Sequence, residues 1–250
     1  MCIRDSYQLL ATDLPKPKPE AQRQVASVDP GQRTLGTVYT PRGCMCDACG
    51  SDDPDRGTGK LKALLKHESA AKANRAKRKH RLEEARRRIE RARRVDDPAA
   101  KAQLKELSER LQRAHQTVLA RTARVHGWVT QMHRSYAHWL LREFDTVIYP
   151  YFGTQSMVRK SGKLRRAVKK ILMRQRHHKL RRYIEDRART LGKEVVFVTE
   201  YYTTQECGVC GHRNKDVGPA KVFQCTKDAC RIRMPRDGNG ARNIMLQMID

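Results

Sequence analysis

The 250-residue sequence predicts an α/β fold: a mixed sheet interrupted by a long basic helical hairpin and, near the end of the sequence, by a four-cysteine module. Three observations carry this expectation. Apolar runs of strand length, bounded by turn residues, recur at 24–39, 145–150 and 195–199. Between the first two lies a stretch whose apolar positions step by three and four residues, the spacing of a helix face. Cys207, Cys210, Cys225 and Cys230 then form two close pairs.

Residues 1–20 read as a start and linker without core residues. Met1 to Ser6, MCIRDS, is either an ordinary disordered start or the translation of a sequencing-library adapter, in which case the true N-terminus is missing. ATDLPKPKPE, residues 11–20, is a semi-extended Pro/Lys linker. Residues 21–60 form the first sheet segment. Val25 and Val28, a Pro30-Gly31 turn, then Leu35 and Val38 among Thr34, Thr37 and Tyr39 predict a β-hairpin. Asp29 closes its first strand, where a carboxylate either caps local N–H groups or acts in company with other acids. Residues 43–59 read as a surface loop. Its Cys44, Cys46 and Cys49 either form a second metal site, completed by His67 or a bridging water, or remain free thiols.

Residues 61–144 read as a helical insertion. A basic helix from Leu61 to Val95 breaks at Asp96-Asp97-Pro98. A second, from Ala99 to about Phe144, carries one stripe of Leu104, Leu107, Leu111, Ala114, Val118, Val125, Val129, Met132, Tyr136 and Leu140. An antiparallel hairpin with one buried seam follows, leaving the arginines outside; Trp128 and Trp139 fall on packing positions. Residues 145–203 continue the sheet. A buried strand at 145–150, a basic helix from about Leu164 to Leu191 stopped by Gly192, and a strand ending in Glu200 make a βαβ crossover. Residues 204–235 hold the cysteines, and residues 236–250 open with Arg236-Asp237-Gly238-Asn239-Gly240 into a last helix.

The charge selects a class of partner. With 53 Lys and Arg against 27 Asp and Glu, the net charge of +26 points to nucleic acid and to phosphate contacts along the basic helices. No apolar run reaches the roughly 18 residues of a membrane span. Closely spaced cysteines without an apolar leader fit metal ligation in a reducing, intracellular compartment better than disulfides. That compartment is the cytoplasm or nucleoid of a prokaryote, or the nucleus of a eukaryote.

Cys207-x2-Cys210 and Cys225-x4-Cys230 have the spacing of a tetrahedral four-thiolate zinc site, which leaves His212 as a surface residue. The order of hairpin, helical insertion, strand, helix, strand and last helix matches the mixed sheet of an RNase H-like domain. Parallel strands align their carboxyl ends, so Asp29 and Glu200 share an edge that Asp237 can face. Three such acids can hold two Mg2+ ions roughly 3.5–4 Å apart, the arrangement that hydrolyses phosphodiesters without a covalent intermediate. The bland alternatives are a strand-end role for Glu200 and an N-cap role for Asp237.

SVDPGQRT around Asp29, DTVIYPYFGTQSMVRKS, EYYTTQECGVCG and C-x5-RDGNGARNI together resemble the split RuvC nuclease and zinc ribbon of TnpB proteins and their Fanzor relatives. The resemblance spans nearly everything from Gln24 onward. It implies a transposon-encoded, RNA-guided DNA endonuclease with a guide RNA on its basic surface and a target DNA duplex opened beside it. It also implies that much of guide and target recognition lies in a missing N-terminal part, so that these 250 residues alone cut poorly. Two departures stand out. Tyr151 occupies the position matched to the usual second acid, and Glu200 takes the place that Fanzor proteins use instead. Pro235 precedes Arg236-Asp237 where an Asp is common, and the second cysteine pair is C-x4-C rather than C-x2-C. A catalytically inactive nucleic-acid-binding relative acting as repressor or transposon accessory factor, and a zinc-ribbon protein of ribosome or transcription, are the competing classes.

Overall fold

A computed structural model describes residues 24–31, 34–45, 58–159, 164–199, 202–218 and 220–248. It divides into two compact units: residues 59–131, and the remainder on either side of them.

The larger unit is built on a five-stranded sheet. Strands β1 (Val25–Asp29), β2 (Thr37–Thr40), β3 (Gly43–Met45), β4 (Thr146–Pro150) and β5 (Glu194–Val198) lie in the order β3-β2-β1-β4-β5. The first three are antiparallel, with Ser27 opposite Tyr39 and Val38 opposite Met45. β1, β4 and β5 are parallel, with Ser27 opposite Ile148 and Pro150 opposite Val198. The expected hairpin and crossover are both present. β3 falls within the stretch read as a loop. The chain reaches it through a two-residue turn that ends at Gly43, whose φ of 131° lies in a region that favours glycine.

The alternation of side chains along each strand sends the sheet's two faces to different helices. On one face Ala26, Val28, Val147 and Tyr149 pack against the end of α2 (Pro98–Glu143) and against α5 (His177–Thr190), through Tyr136, Leu140, Leu180 and Ile184. On the other, Ile148 packs with Ile244 and Met245 of α6 (Arg236–Leu246), with Val25 and Val198 at the border. Each such aliphatic side chain contributes roughly 1.5–3 kcal/mol by leaving water. Gly36 is required by this packing, because a Cβ there would stand 2.6 Å from Tyr136 Oη and 2.7 Å from Val28 Cγ1.

The single basic helix expected over 164–191 is two helices. α4 (Arg166–Gln175) and α5 are separated by Arg176 in the left-handed region, φ 51° and ψ 51°. A helix propensity argument cannot see this break; burial explains it. His177 and Gln175 are both buried, and His133 Nε2 donates to the Gln175 carbonyl at 2.7 Å. The short α3 (Thr154–Met157) precedes this pair, and Gly192, φ 64°, ends α5 as expected.

The smaller unit is the helical hairpin. α1 (Thr58–Arg91) and the first part of α2 run antiparallel: Thr122 Oγ1 donates to Glu68 Oε1 at 3.1 Å, and Arg78 Nη1 to the Arg110 carbonyl at 3.0 Å. Ala114, Val118, Val125 and Val129 of the expected stripe are buried, and most basic residues of α1 are exposed. Trp128 packs here beneath Lys60, whose Nζ is 4.3 Å from the ring centroid. Trp139 packs in the larger unit against Tyr136 and Phe144. Among the described residues no helix is long and apolar enough to cross a membrane.

Burial holds His133 down to about 4 and, with the neighbouring His133 charge as a lesser cause, His177 down to about 3, from an ordinary 6.5. Both are therefore neutral when folded, while the unfolded chain takes up protons as pH falls through 6.5. Stability present above that pH is lost below it, by about 1.4 kcal/mol per histidine for each pH unit down to the folded value. Thermal unfolding between pH 7 and 5 should show this slope, and His133→Gln should flatten it; an equal slope in the variant would contradict the assignment.

Candidate active site

Asp29 is the last residue of β1, and its strand parity is that of Val25 and Ser27, the face covered by α6. Ser27 Oγ donates to the Ala241 carbonyl at 2.6 Å, tying the strand to the helix one residue beyond Gly240. A Cβ on Gly240 would lie 2.6 Å from Asp29 Oδ2 and 3.2 Å from its Cγ. The carboxylate is thus seated on the helix backbone, and only glycine permits the approach.

Asp237 stands three residues before Gly240, one turn along the same helix, a rise of about 4.5 Å. The helix N-cap is Pro235, so Asp237 lies in the first turn rather than at the cap. Its Oδ1 accepts from Arg236 Nη2 at 3.0 Å and Nε at 3.2 Å. The structure therefore brings Asp29 to the turn of α6 that carries Asp237. Glu200, the third expected acid, lies outside the described residues, as do Cys46, Cys49 and the side chain of Cys44.

Tyr151 is half exposed, its ring 5.3 Å from that of Phe197 and its centroid 5.1 Å from the Arg181 guanidinium carbon. Phe197 belongs with Tyr149 to the face opposite α6. On the face Asp29 uses, the β4 residue at its level is Pro150, which shares the parity of Ile148 and pairs with Val198. The neighbour of Asp29 that lacks a carboxylate is thus Pro150 rather than Tyr151.

The four cysteines gather beneath a two-stranded sheet of β6 (Val222–Gln224) and β7 (Arg233–Pro235). Their sulfurs lie within 4.8 Å of one another, with Cys207–Cys230 at 3.9 Å and Cys210–Cys225 at 3.6 Å. A tetrahedron with Zn–S bonds of about 2.3 Å has edges of about 3.8 Å, so the donor set fits that ion. Burial pushes the Cys225 thiol up to about 12, so a thiolate there needs a cation among the sulfurs. A backbone hydrogen bond from His212 pulls Cys210 down to about 7. The His212 ring is exposed and meets Thr226 Oγ1 at 2.9 Å, away from the sulfurs as expected.

Asn239 and Asn243 were not singled out by sequence reasoning, and they stitch this module to α6. Asn239 Oδ1 accepts from the Gly208 N–H at 2.9 Å, and its Nδ2 donates to the Glu206 carbonyl at 2.7 Å. Asn243 Nδ2 donates to the carbonyls of Thr203 and Glu206 at 2.7 and 2.8 Å. The available signal was their spacing: two asparagines four apart, with a glycine between, are poor helix formers and mark other work.

In the smaller unit, a groove of about 440 Å³ between the helices is lined by Lys77, Arg78, Arg81, Arg110 and Arg113, with Asn74 and Leu107. No acid lines it, which suits a phosphate backbone.

A family model described as Cas12f1-like, TNB domain, matches residues 177–244. The TnpB-like proteins L79 and L770 of Acanthamoeba polyphaga mimivirus are each 31% identical over 123 residues, 49% of this chain and 23% of theirs. Over these stretches the chain is similar to TnpB-like and Cas12f1-like proteins. It spans about a quarter of the length of those viral relatives. The solved structure of the mini-RNA-guided endonuclease CRISPR-Cas_phi3 shares its fold, at TM-score 0.55 and 13% identity, over 92% of this chain and 46% of that one.

Asn239→Ala strands the Gly208 N–H and removes one of the two donors to the Glu206 carbonyl, and should cost about 1–3 kcal/mol. Hydrogen exchange should locate that loss at 202–210 rather than in the sheet; uniform loosening would contradict the stitching role.

Proposed function

We propose that the chain is the RuvC-type, RNase H-like nuclease portion of an RNA-guided DNA endonuclease, with Asp29, Glu200 and Asp237 as its catalytic acids. The observation that carries this is the seat of Asp29 on Gly240, one turn from Asp237. The strand order β3-β2-β1-β4-β5, antiparallel then parallel, supports the RNase H-like reading. In the sequence Glu200 follows Val198, the last residue of β5, by two positions. It stands in for the carboxylate that Pro150 does not supply.

Carboxylate oxygens suit Mg2+, which would supply an activated water and stabilise the leaving oxygen of a phosphodiester. Asp29, fixed by the helix backbone, orients one ligand oxygen. Asp237 presents another, with Arg236 holding its orientation and balancing its charge. Cys207, Cys210, Cys225 and Cys230 would hold a structural Zn2+, and the asparagines of α6 would pass that rigidity to the acids. The partners are a guide RNA and a target DNA, with the cationic groove of the hairpin as one contact for phosphates.

A second reading, a nucleic-acid-binding relative without cleavage, acting as repressor or transposon accessory factor, is favoured by Pro150 at the level of Asp29. Mg2+-dependent cleavage by a full-length version separates the two. The parent should cut, and Glu200→Gln and Asp237→Asn should each lose more than about a hundredfold. Equal cutting by Glu200→Gln sinks the displaced acid, and an inert parent establishes the second reading.

A further inference from the structure

The start of α5 holds a buried polar cluster that the acids and the cysteines do not account for. Because α5 leads into β5 through the Gly192 turn, it runs back against the parallel strands. Its first residue, His177, therefore lies at the carboxyl edge that Asp29 closes. His177, Gln175 and His133 of α2 are all buried. Two imidazoles and an amide inside a core are costly unless each finds a partner.

The partners form a chain. His133 Nε2 meets the Gln175 carbonyl at 2.7 Å, and Gln175 Oε1 lies 3.3 Å from His177 Nε2. The left-handed Arg176 between them lets both neighbours point inward. From His177 the chain reaches two loops. The ring hydrogen-bonds the backbone of Gly31, two residues past Asp29. It also stands edge-on to Phe152, two residues past the end of β4, with ring centroids 4.8 Å apart and planes at 71°. The chain leaving β1 and the chain leaving β4 are thus pinned to one buried side chain. Gly240 seats the Asp29 carboxylate from the α6 face, while His177 holds the backbone beyond it from the start of α5, which packs on the other face.

We propose that His177 is a positioning residue for Asp29: it anchors the Gly31 backbone, fixes the path of the chain out of β1, and so sets where the Asp29 carboxylate stands against α6. Gln175, itself held by His133, keeps the ring in the orientation this requires. The proposal rests on the nuclease reading for the role of Asp29 as a metal ligand.

The test is Mn2+ binding to the 250-residue chain, with zinc content and backbone amide exchange measured on the same samples. His177→Phe keeps an aromatic ring against Phe152 and removes the hydrogen bonds. It should weaken Mn2+ binding roughly tenfold and speed exchange at the Gly31 amide while keeping its zinc. His177→Asn and His177→Gln place an amide N–H near the positions of Nδ1 and Nε2, and at least one of them should restore the parent affinity. Leu180→Ala, which loosens the same helix through the core alone, should leave Mn2+ binding unchanged. Parent affinity in His177→Phe, no rescue by either amide, or an equal loss in Leu180→Ala overturns the proposal. If His177→Phe does not fold, the parent decides: a coupling across the hydrogen bond between a His177 ring nitrogen and the Gly31 carbonyl carbon upholds the anchor, and its absence overturns it. If the parent binds no more Mn2+ than Asp29→Asn does, the nuclease reading fails; faster Gly31 exchange in His177→Phe then still upholds the anchor, and unchanged exchange overturns it.

Discussion

The carboxylate of Asp29 rests on the bare α-carbon of Gly240, and that approach constrains much of what surrounds it. A strand end and a helix start come this close only if the helix has no side chain at the contact. The helix must also be held to the sheet there, which Ser27 does by bonding the Ala241 carbonyl. Once α6 is placed, Asp237 follows, because one turn of helix is rigid. The packing of Ile244 and Met245 on Ile148 then sets the far end of the same helix.

The cysteine module is built around the same helix. Asn239 and Asn243 project from it to Thr203, Glu206 and Gly208, so the first cysteine knuckle is bound to the element that carries Asp237. Gly208 is needed at this junction, since a Cβ there would come within 2.9 Å of Arg242 Cδ and 3.0 Å of Asn243 Oδ1. The first cysteine knuckle and the turn that carries Asp237 thereby share one set of hydrogen bonds. Loss of order in the module would be felt at the acids.

Legibility followed the range of the interactions. β1, β2, β4, β5, both long helices and the cysteine cluster were readable because apolar period and ligand spacing are local properties. β3 was missed because three residues after a turn carry no periodicity. The break at Arg176 was missed because its cause is the burial of Gln175 and His177 against His133, far away in sequence. Asp29 and Asp237 were readable as a pair from the expected alignment of parallel strand ends, a topological argument that the family motifs reinforce. The role of Gly240 and the identity of Pro150 as the neighbour of Asp29 needed strand parity in three dimensions.

The central claim is that Asp29, set by Gly240, helps form a divalent-metal site that is separate from the four cysteines. The most direct measurement is Mn2+ binding, with zinc content measured on the same samples, for the parent and Gly240→Ala. A methyl at 2.6 Å from Asp29 Oδ2 must displace the carboxylate. The account predicts that the variant loses Mn2+ affinity by at least about tenfold while keeping its zinc. Mn2+ binding equal to the parent's would contradict it.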